Sequence, residues 1–352
     1  MIVLAIETSC DETSAALVRE DADPSLRIIS QVIRSQHETH KDYAGVVPEL
    51  AARAHNEAIA MVVGHCLEKA KLKPFDLTAV AATVGPGLAG GLLVGSVFAQ
   101  AYALGIQKPF MGINHLEGHI LTPRLSHNLA FPYLALLASG GHCQFVLVKD
   151  LGNYEVLGST RDDAAGEAFD KTAQILDLGF PGGPAVEKSA EEGGDSNAYA
   201  LPHPLSKEPG CDMSFAGLKT AVRNIAQKIT IQQGFLSHQH KCDLAASAQK
   251  AIVTTLERRS QNALTIALSK ETHLQGLAVV GGVAANKMLA KALRGLAESF
   301  NLPFVVPPLF LCTDNGAMIG WAALERLQKS LTGSVTSIKP RWPLSELGIS
   351  KI

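Results

Sequence analysis

Residues 4–18 read "LAIETSCDETSAALV", and residues 134–148 read "LALLASGGHCQFVLV". Each is an apolar run, a small polar turn around Ser9 or Ser139, and a second apolar run. That is the pattern of two strands joined by a short hairpin. Aligned without gaps, they match at Leu4/Leu134, Ala5/Ala135, Ser9/Ser139, Leu17/Leu147 and Val18/Val148. Short apolar strands often look alike, so the identities alone are weak. Their shared position at the head of each half favours duplication.

After each hairpin, helical and strand-like segments alternate, as an α/β fold requires. In the first half, helical "PELAARAHNEAIAMVVGHCLEKA" (48–70) precedes a strand "LTAVAATV" (77–84), a "GPG" turn and a small-residue helix "GGLLVGSVFAQAYALG" (90–105). In the second, helical "CDLAASAQKAIVTTLERRSQNALTIAL" (242–268) leads to the strand "LQGLAVVGG" (274–282). A helix starting near Asn286, a strand "PFVVPP" (303–308) and a helix over 314–328 follow. The lobe boundary is expected at residues 124–132, giving lobes 1–130 and 131–352. Two similar α/β lobes with glycine turns, facing a cleft, describe a nucleotide-binding clamp.

A chain of 352 residues has room for two cores, and 47% hydrophobic with 18% charged residues describes a globular protein. The formal net charge of −2 excludes a chain coated in basic residues. A nucleic-acid partner would need local basic surface or a second subunit, and the short "ERRS" and "KLKP" read as solvated surface. The six cysteines form no CxxC pair, which suits a reducing cytoplasm. "MIVLAI" is too short for a signal segment. Residues 77–107 carry no charge, a length that can cross a bilayer. Gly85, Pro86 and Gly87 divide it into strand, turn and helix, so it reads as buried core, with no membrane association.

The segment "NHLEGH" (114–119) sets His115 and His119 four apart on one helical face, where both can reach a single metal ion. In a zinc protease the base is the glutamate directly after the first histidine. Here Glu117 lies two residues on, roughly 200° around the helix, so a protease site fails on geometry. Two surface histidines are the alternative reading. "TSCDETS" (8–14) and "ASGGH" (138–142) offer small turns with hydroxyls, acids or backbone amides for an anion or metal; an ordinary hairpin turn is the alternative for each. "DDAAGEAFDK" (162–171) reads as a helix opening on Asp162 or Asp163, with Asp163, Glu167 and Asp170 on one face. These acids suit ribose hydroxyls, or form a solvated stripe. "GFPGGPAVE" (179–187) is a loop running into a helix that carries Glu187, and "VVGGVAANKML" (279–289) ends a strand on Gly281–Gly282 before Asn286. This last segment is not GxGxxG, and GxxxxGK[ST] does not occur in the chain. In "CTDNGAMIG" (312–320), Asp314 can cap a helix or be a third metal ligand.

Taken in order, "IETSCDETSAAL", "NHLEGH", "SGGH", "DDAAGEAFDK", "PGGPAVE", "GGVAAN" and "CTDNGAM", with "PRWPL" at 340–344, resemble the universal tRNA threonylcarbamoyladenosine transferase family, long labelled O-sialoglycoprotein endopeptidase. The resemblance implies the two-lobed actin/hexokinase/Hsp70-like (ASKHA) fold, duplicated lobes around a nucleotide cleft. It implies an acyltransferase that moves a threonylcarbamoyl group from threonylcarbamoyl-AMP to N6 of the adenosine 3′ to the anticodon, in tRNAs reading codons that begin with A. By the same resemblance, His115, His119 and Asp314 hold one divalent metal, iron(II) or alternatively zinc. Leu137, Ala138, Ser139, Gly140 and Gly141 surround the acyl-adenylate. Asp170, Gly183 and Glu187 hold its ribose side and Asn286 its adenine side. Asp11, and secondarily Glu12, are the candidates to orient or deprotonate the attacking amine. The implied partners are tRNA, a paralogous subunit of similar fold docking on helix 48–70, and a small ATPase. Two departures stand out: Ala216 where the family has serine in "SFSGLKTA", and Cys143 where it has threonine after "SGGH". The rival readings are a sugar or acetate kinase of the same fold class and a nucleotide-gated binding module without chemistry. Neither needs a protein-ligated metal.

Overall fold

Both hairpins form, and in matching register. In the computed structural model, which describes residues 1–40, 43, 45–331 and 335–347, β1 (Ile2–Glu7) pairs antiparallel with β2 (Glu12–Arg19), Leu4 opposite Leu17. The first half continues with β3 (Ile28–Ser35), α1 (His37–His40), α2 (Pro48–Ala70), β4 (Ala79–Gly85), α3 (Ala89–Gly105), β5 (Phe110–Asn114) and α4 (His115–His127). The second begins with β6 (Tyr133–Ala138) and β7 (Cys143–Asp150), where Leu134 lies opposite Leu147. There follow β8 (Asn153–Ser159), α5 (Ala165–Leu176), α6 (Gly182–Glu191), α7 (Ala216–Gln233), α8 (His238–Lys270), β9 (Leu277–Val280), α9 (Lys287–Ser299), β10 (Phe304–Val305), α10 (Leu309–Cys312) and α11 (Gly316–Gln328).

The sheet orders are β3-β2-β1-β4-β5 and β10-β9-β6-β7-β8. Reversed, the second is β8-β7-β6-β9-β10, the same path as the first, and β1–β4 and β6–β9 are both parallel. Shared topology and hairpin register carry the duplication far better than five identities do. The chain forms two compact units. One comprises Met1–Ala130, Lys149–Glu155 and the chain from Thr313; the other comprises Phe131–Val148 and Val156–Cys312.

In the first unit, β4 is wholly buried, and α3 buries a face of small residues: Gly91, Leu92, Gly95, Ser96, Ala99 and Ala103. A Cβ on Gly95 would stand 2.1 Å from Thr8 Oγ1, and one on Gly91 2.2 Å from the Thr8 carbonyl. Small residues therefore let α3 press on the turn after β1. Its outer face shows Leu93, Val97 and Leu104 to solvent. The uncharged run over 77–107 is thus one core strand and one helix, and among the described residues no helix is long and apolar enough to cross a membrane.

Helix α4 packs on α11 across a buried ion pair. Glu117, fully buried, accepts from Arg326 Nε and Nη2 at 2.8 Å each and from the Tyr154 hydroxyl at 2.7 Å. Arg124 bridges the same two helices through Glu325 at 2.8 Å. The segment from residue 335 to 347 runs back over the ends of β4 and β5. Lys339 N donates to the Val84 carbonyl at 2.6 Å and Asn114 Nδ2 to the Trp342 carbonyl at 2.9 Å. A Cβ on Gly85 would stand 1.9 Å from the Lys339 carbonyl oxygen, and one on Gly112 2.0 Å from that of Val335. Glycine is what seats this strap.

Four local expectations change. Helix α5 begins at Ala165, with Ala164 at its N-cap, because Asp162 is spent on the amides of Phe215 and Ala216 at the start of α7. The strand in "PFVVPP" is only Phe304–Val305, since proline has no amide for a ladder. Asn315, not Asp314, caps α11, accepting from Met318 N at 3.0 Å. In "ERRS", Arg259 is buried, donating to the carbonyls of Glu208 and Gly210 at 2.9 Å each.

Removing one partner of a buried ion pair leaves an uncompensated charge. Arg326→Ala is expected to lower unfolding free energy by about 3–5 kcal/mol, against less than about 1 kcal/mol for Arg53→Ala in the exposed Arg53–Glu49 pair. Urea unfolding of both variants checks the contrast; equal losses contradict it.

Candidate metal centre

Asn114 closes β5 and caps α4, its Oδ1 accepting from the amides of Leu116 at 2.8 Å and Glu117 at 3.2 Å. A fixed first turn sends His115 and His119 out on one face. Both are buried, at 7% and 1% exposure, which removes the reading as surface histidines. Their rings meet edge to face with centroids 4.7 Å apart. Asp314, just before the Asn315 cap of α11, places Oδ1 3.1 Å from His119 Nε2 and 3.5 Å from His115 Nε2. Donors around an ion with bonds of about 2.0–2.2 Å stand about 3.0–3.5 Å apart; both histidine nitrogens have that spacing from Asp314 Oδ1, and all three donor atoms lie within 4.8 Å of one another. Two imidazoles and a carboxylate are the donor set of iron(II) facial-triad sites and suit zinc as well.

Glu117 points elsewhere, into its buried contacts with Arg326 and Tyr154. It cannot activate a water beside the histidines. The sequence reading also passed over a second acid, Glu7. This carboxylate is fully buried at the end of β1, accepting from Ser9 N at 2.6 Å and from the Thr83 hydroxyl, with Oε2 3.3 Å from His115 Nδ1. Its signal was present: an acid closing the apolar strand "IVLAIE".

Burial works against charge on His115, but the Asp314 and Glu7 carboxylates outweigh it and raise the ring to about 9. Burial lowers His119. Glu7 is lowered: burial opposes its charge, and the His115 charge and hydrogen bond prevail. Glu12, which opens β2, is pushed up to about 10 by burial, then by the Asp314 and Asp11 charges. Asp11 sits in the turn before it, where its carbonyl accepts from Gln36 N at 3.0 Å. Buried His55 braces this turn, with Nε2 3.0 Å from the Cys10 carbonyl and Nδ1 2.8 Å from Thr13 Oγ1.

In the second unit, Leu137 and Ala138 end β6, and Ser139, Gly140 and Gly141 form the turn into β7. The turn consumes two of its own amides: Ser139 N donates to the His142 carbonyl at 2.8 Å and His142 N to Ser139 Oγ at 3.1 Å. Gly166 and Gly281 lie against its backbone, where a Cβ would come within 2.6 Å and 2.5 Å of carbonyl oxygens of Ser139 and Ala138. At Gly140, Gly141 and Gly183 a Cβ would meet nothing within 4 Å. Asp170 Oδ1 accepts from Gly182 N at 2.8 Å, and Gly183 and Glu187 sit one turn apart on α6. Glu187 accepts from Lys287 N at 2.8 Å, next to Asn286. Asn286 caps α9, accepting from Leu289 N at 2.9 Å, and donates to Gln249 Oε1 at 2.9 Å. Asp170, Gly183, Glu187 and Asn286 thus form one linked patch. The acidic face of α5 is neutralised: Lys171 pairs with Asp163 at 2.8 Å and Glu167 at 2.6 Å. Cys143 is buried with Sγ 3.5 Å from Met213 Sδ, and Ala216 opens α7 with its amide on Asp162 at 3.2 Å.

A second trio, Glu192, His238 and Cys242, also brings donor atoms together. His238, however, turns Nδ1 to the thiol at 3.5 Å and Nε2 to Glu192 at 3.2 Å. Its two contacts use different nitrogens, as in a hydrogen-bonded chain.

Solved structures share the fold. The (R)-2-hydroxyglutaryl-CoA dehydratase component A of Acidaminococcus fermentans superposes with a TM-score of 0.53 at 12% identity, over 93% of this chain and 99% of that one. HypF of T. kodakarensis does so at 0.57 and 14%, over 94% of this chain and 48% of that one. At such identities the likeness concerns fold alone, an α/β fold of the actin/hexokinase/Hsp70-like class. Sequence goes further. The family model TsaD, tRNA N6-adenosine threonylcarbamoyltransferase, matches residues 27–321. The proteins of that name from Brucella anthropi and Brucella ovis are each 51% identical over 349 residues, 98% of this chain and 96% of theirs. Matched over most of its length by both, the chain belongs to the tRNA N6-adenosine threonylcarbamoyltransferase family.

Proposed function

We propose that this chain transfers the threonylcarbamoyl group of threonylcarbamoyl-AMP to N6 of the adenosine 3′ to the anticodon, in tRNAs reading codons that begin with A, within the cytoplasm. The observation that carries this is 51% identity to transferases of that name along nearly the whole chain. The two-histidine, one-aspartate cluster supports it over a kinase or a binding module of the same fold, neither of which needs such a donor set.

The donor is a mixed carbamic–phosphoric anhydride, so its carbonyl is already activated. The chain's task is to place a weakly nucleophilic amine against it and to stabilise the departing AMP. His115, His119 and Asp314 would hold one divalent ion, iron(II) with zinc as the alternative. When bound, it supplies Lewis-acid charge to the donor's oxygens. The turn Leu137–Gly141 would accept the acyl-adenylate, with open space at Gly140 and Gly141 admitting a close approach. Asp170, Gly183 and Glu187 would take the ribose and Asn286 the adenine. As the N6–carbon bond forms, the carbon–oxygen anhydride bond breaks and AMP leaves as the anion. The amine proton passes to Asp11, with Glu12 the second candidate.

The charge balance bears on partners. With 31 basic against 33 acidic residues, and Arg259 buried, the chain has little to offer a polyanion. A paralogous subunit and a small ATPase would complete the tRNA-binding complex. Exposed Met61 on α2 and Leu93, Val97 and Leu104 on α3 suit the docking of the paralogue around 48–70.

Three outcomes are expected. Incubation with threonylcarbamoyl-AMP and unmodified tRNA, followed by nucleoside mass spectrometry, yields threonylcarbamoyladenosine in multiple turnovers only with the partner subunits present. Equal tRNA affinity and turnover by the lone chain contradict the partner reading. His115→Ala, His119→Ala and Asp314→Ala each lose metal and transfer while keeping the fold; full metal content in Asp314→Ala removes that residue from the site. Finally, His115 keeps its proton up to about 9 in the metal-free chain and must release it to bind. Metal affinity therefore falls as pH drops below about 9, and binding near pH 7.5 releases protons. Calorimetry in buffers of different ionisation enthalpy reads the release; none across this range contradicts the assignment.

A further inference from the structure

We propose that Glu7 is a positioning residue for metal binding: it accepts a hydrogen bond at His115 Nδ1 and so keeps His115 Nε2 turned toward Asp314 and available to the ion. The inference rests on the metal reading above.

Glu7 is a fully buried carboxylate closing an otherwise apolar strand, a costly placement unless its contacts compensate. Each oxygen is accounted for. Oε1 accepts from Ser9 N at 2.6 Å; Oε2 accepts from the Thr83 hydroxyl and stands 3.3 Å from His115 Nδ1. Shut away from solvent, it has no path to a substrate, so a role as general acid or base is excluded. Nor does it face the ion, because it meets the ring at Nδ1 while Nε2 is the atom 3.5 Å from Asp314.

A neutral imidazole holds one proton. Only the tautomer with that proton on Nδ1 leaves the Nε2 lone pair free, and an acceptor at Nδ1 selects it. Ser9 Oγ, 3.1 Å from the same nitrogen, adds a second polar contact there. His119 provides the contrast. Its Nε2 is 3.1 Å from Asp314, while its buried Nδ1 has no hydrogen-bond partner among the described residues. When His119 ligates, a proton on Nδ1 finds no acceptor. The two histidines are therefore unequal: His115 is the prepared ligand, and Glu7 prepares it. In Glu7→Gln the Ser9 amide holds the glutamine oxygen at the Oε1 position, which places the NH2 group beside Thr83 Oγ1 and His115 Nδ1. Such a donor favours the tautomer whose Nε2 carries the proton, which blocks ligation.

The test uses the full chain, stripped of metal and titrated with zinc or iron(II) against a competing chelator. Glu7→Gln is expected to weaken metal binding about 10- to 100-fold while the metal-free chain keeps the parent's circular dichroism spectrum. Thr83→Val, which removes a contact to Glu7 but keeps its charge, is expected to stay within about threefold of the parent affinity. Parent affinity in Glu7→Gln, or a loss in Thr83→Val equal to that in Glu7→Gln, overturns the proposal: the strand end would then matter only as packing. Should Glu7→Gln fail to fold, Glu7→Asp withdraws the carboxylate by one methylene and is read in the same way. His115→Ala is measured alongside. Undiminished binding by that variant would overturn the metal reading itself, separately from the role of Glu7.

Discussion

The buried contact between Glu117 and Arg326 sets the geometry on which the candidate centre depends. The histidines leave the first turns of α4, and Asp314 stands just before the first turn of α11. Their donor atoms lie 3.1 Å and 3.5 Å apart only because those two helices stay in register. A bidentate guanidinium–carboxylate pair, with Tyr154 on the same carboxylate, is directional in a way that apolar packing is not. Motif residues on opposite sides of one helix thus do different work. His115 and His119 face the donor cluster, and Glu117 locks the helix that carries them.

Close backbone approach is the second constraint. Thr8 lies against Gly91 and Gly95 of α3, the strap against Gly85 and Gly112, and the turn after β6 against Gly166 and Gly281. In each case a Cβ would come within 2.6 Å of a neighbouring atom. At each of these places a glycine admits a neighbouring segment closer than any side chain would, against backbone except at Gly95, which meets Thr8 Oγ1. Gly140, Gly141 and Gly183, by contrast, have open space where a side chain would project.

How legible this was in the sequence depended on the range of the interaction. The hairpins, the extent of α2, and the histidine pair all follow from local periodicity or spacing, and the structure bears them out. Asp162 looks like a cap in its own segment, yet its partners are Phe215 and Ala216, so α5 starts later than its segment predicts. Asp314 reads equally as cap or ligand in its segment, and the neighbouring Asn315 takes the cap. Arg259 reads as surface in "ERRS" because the carbonyls it satisfies, those of Glu208 and Gly210, belong to a distant loop. Glu7 was visible as an acid after five apolar residues. Its partners, Thr83 and His115, are 76 and 108 positions away.

The acids of the first unit also explain why the metal-free centre holds so many protons. Asp314 and Glu7 act on His115 through their charges, and Asp314, Asp11 and Glu7 act on Glu12. Like charges in a poorly solvated space cannot all persist. Without a cation, burial and then the Asp314 and Asp11 charges raise Glu12 to about 10, and Asp314 and Glu7 raise His115 to about 9 against its burial. A divalent ion held by the proposed site would relieve the same charge, so protons and metal would compete there. His119, whose Nδ1 is orphaned, is lowered by burial, which its single Asp314 contact does not offset. The cluster is therefore shaped less by any single ligand than by surplus negative charge gathered around two histidines. That surplus is a feature a purely structural packing of helices would have no reason to keep.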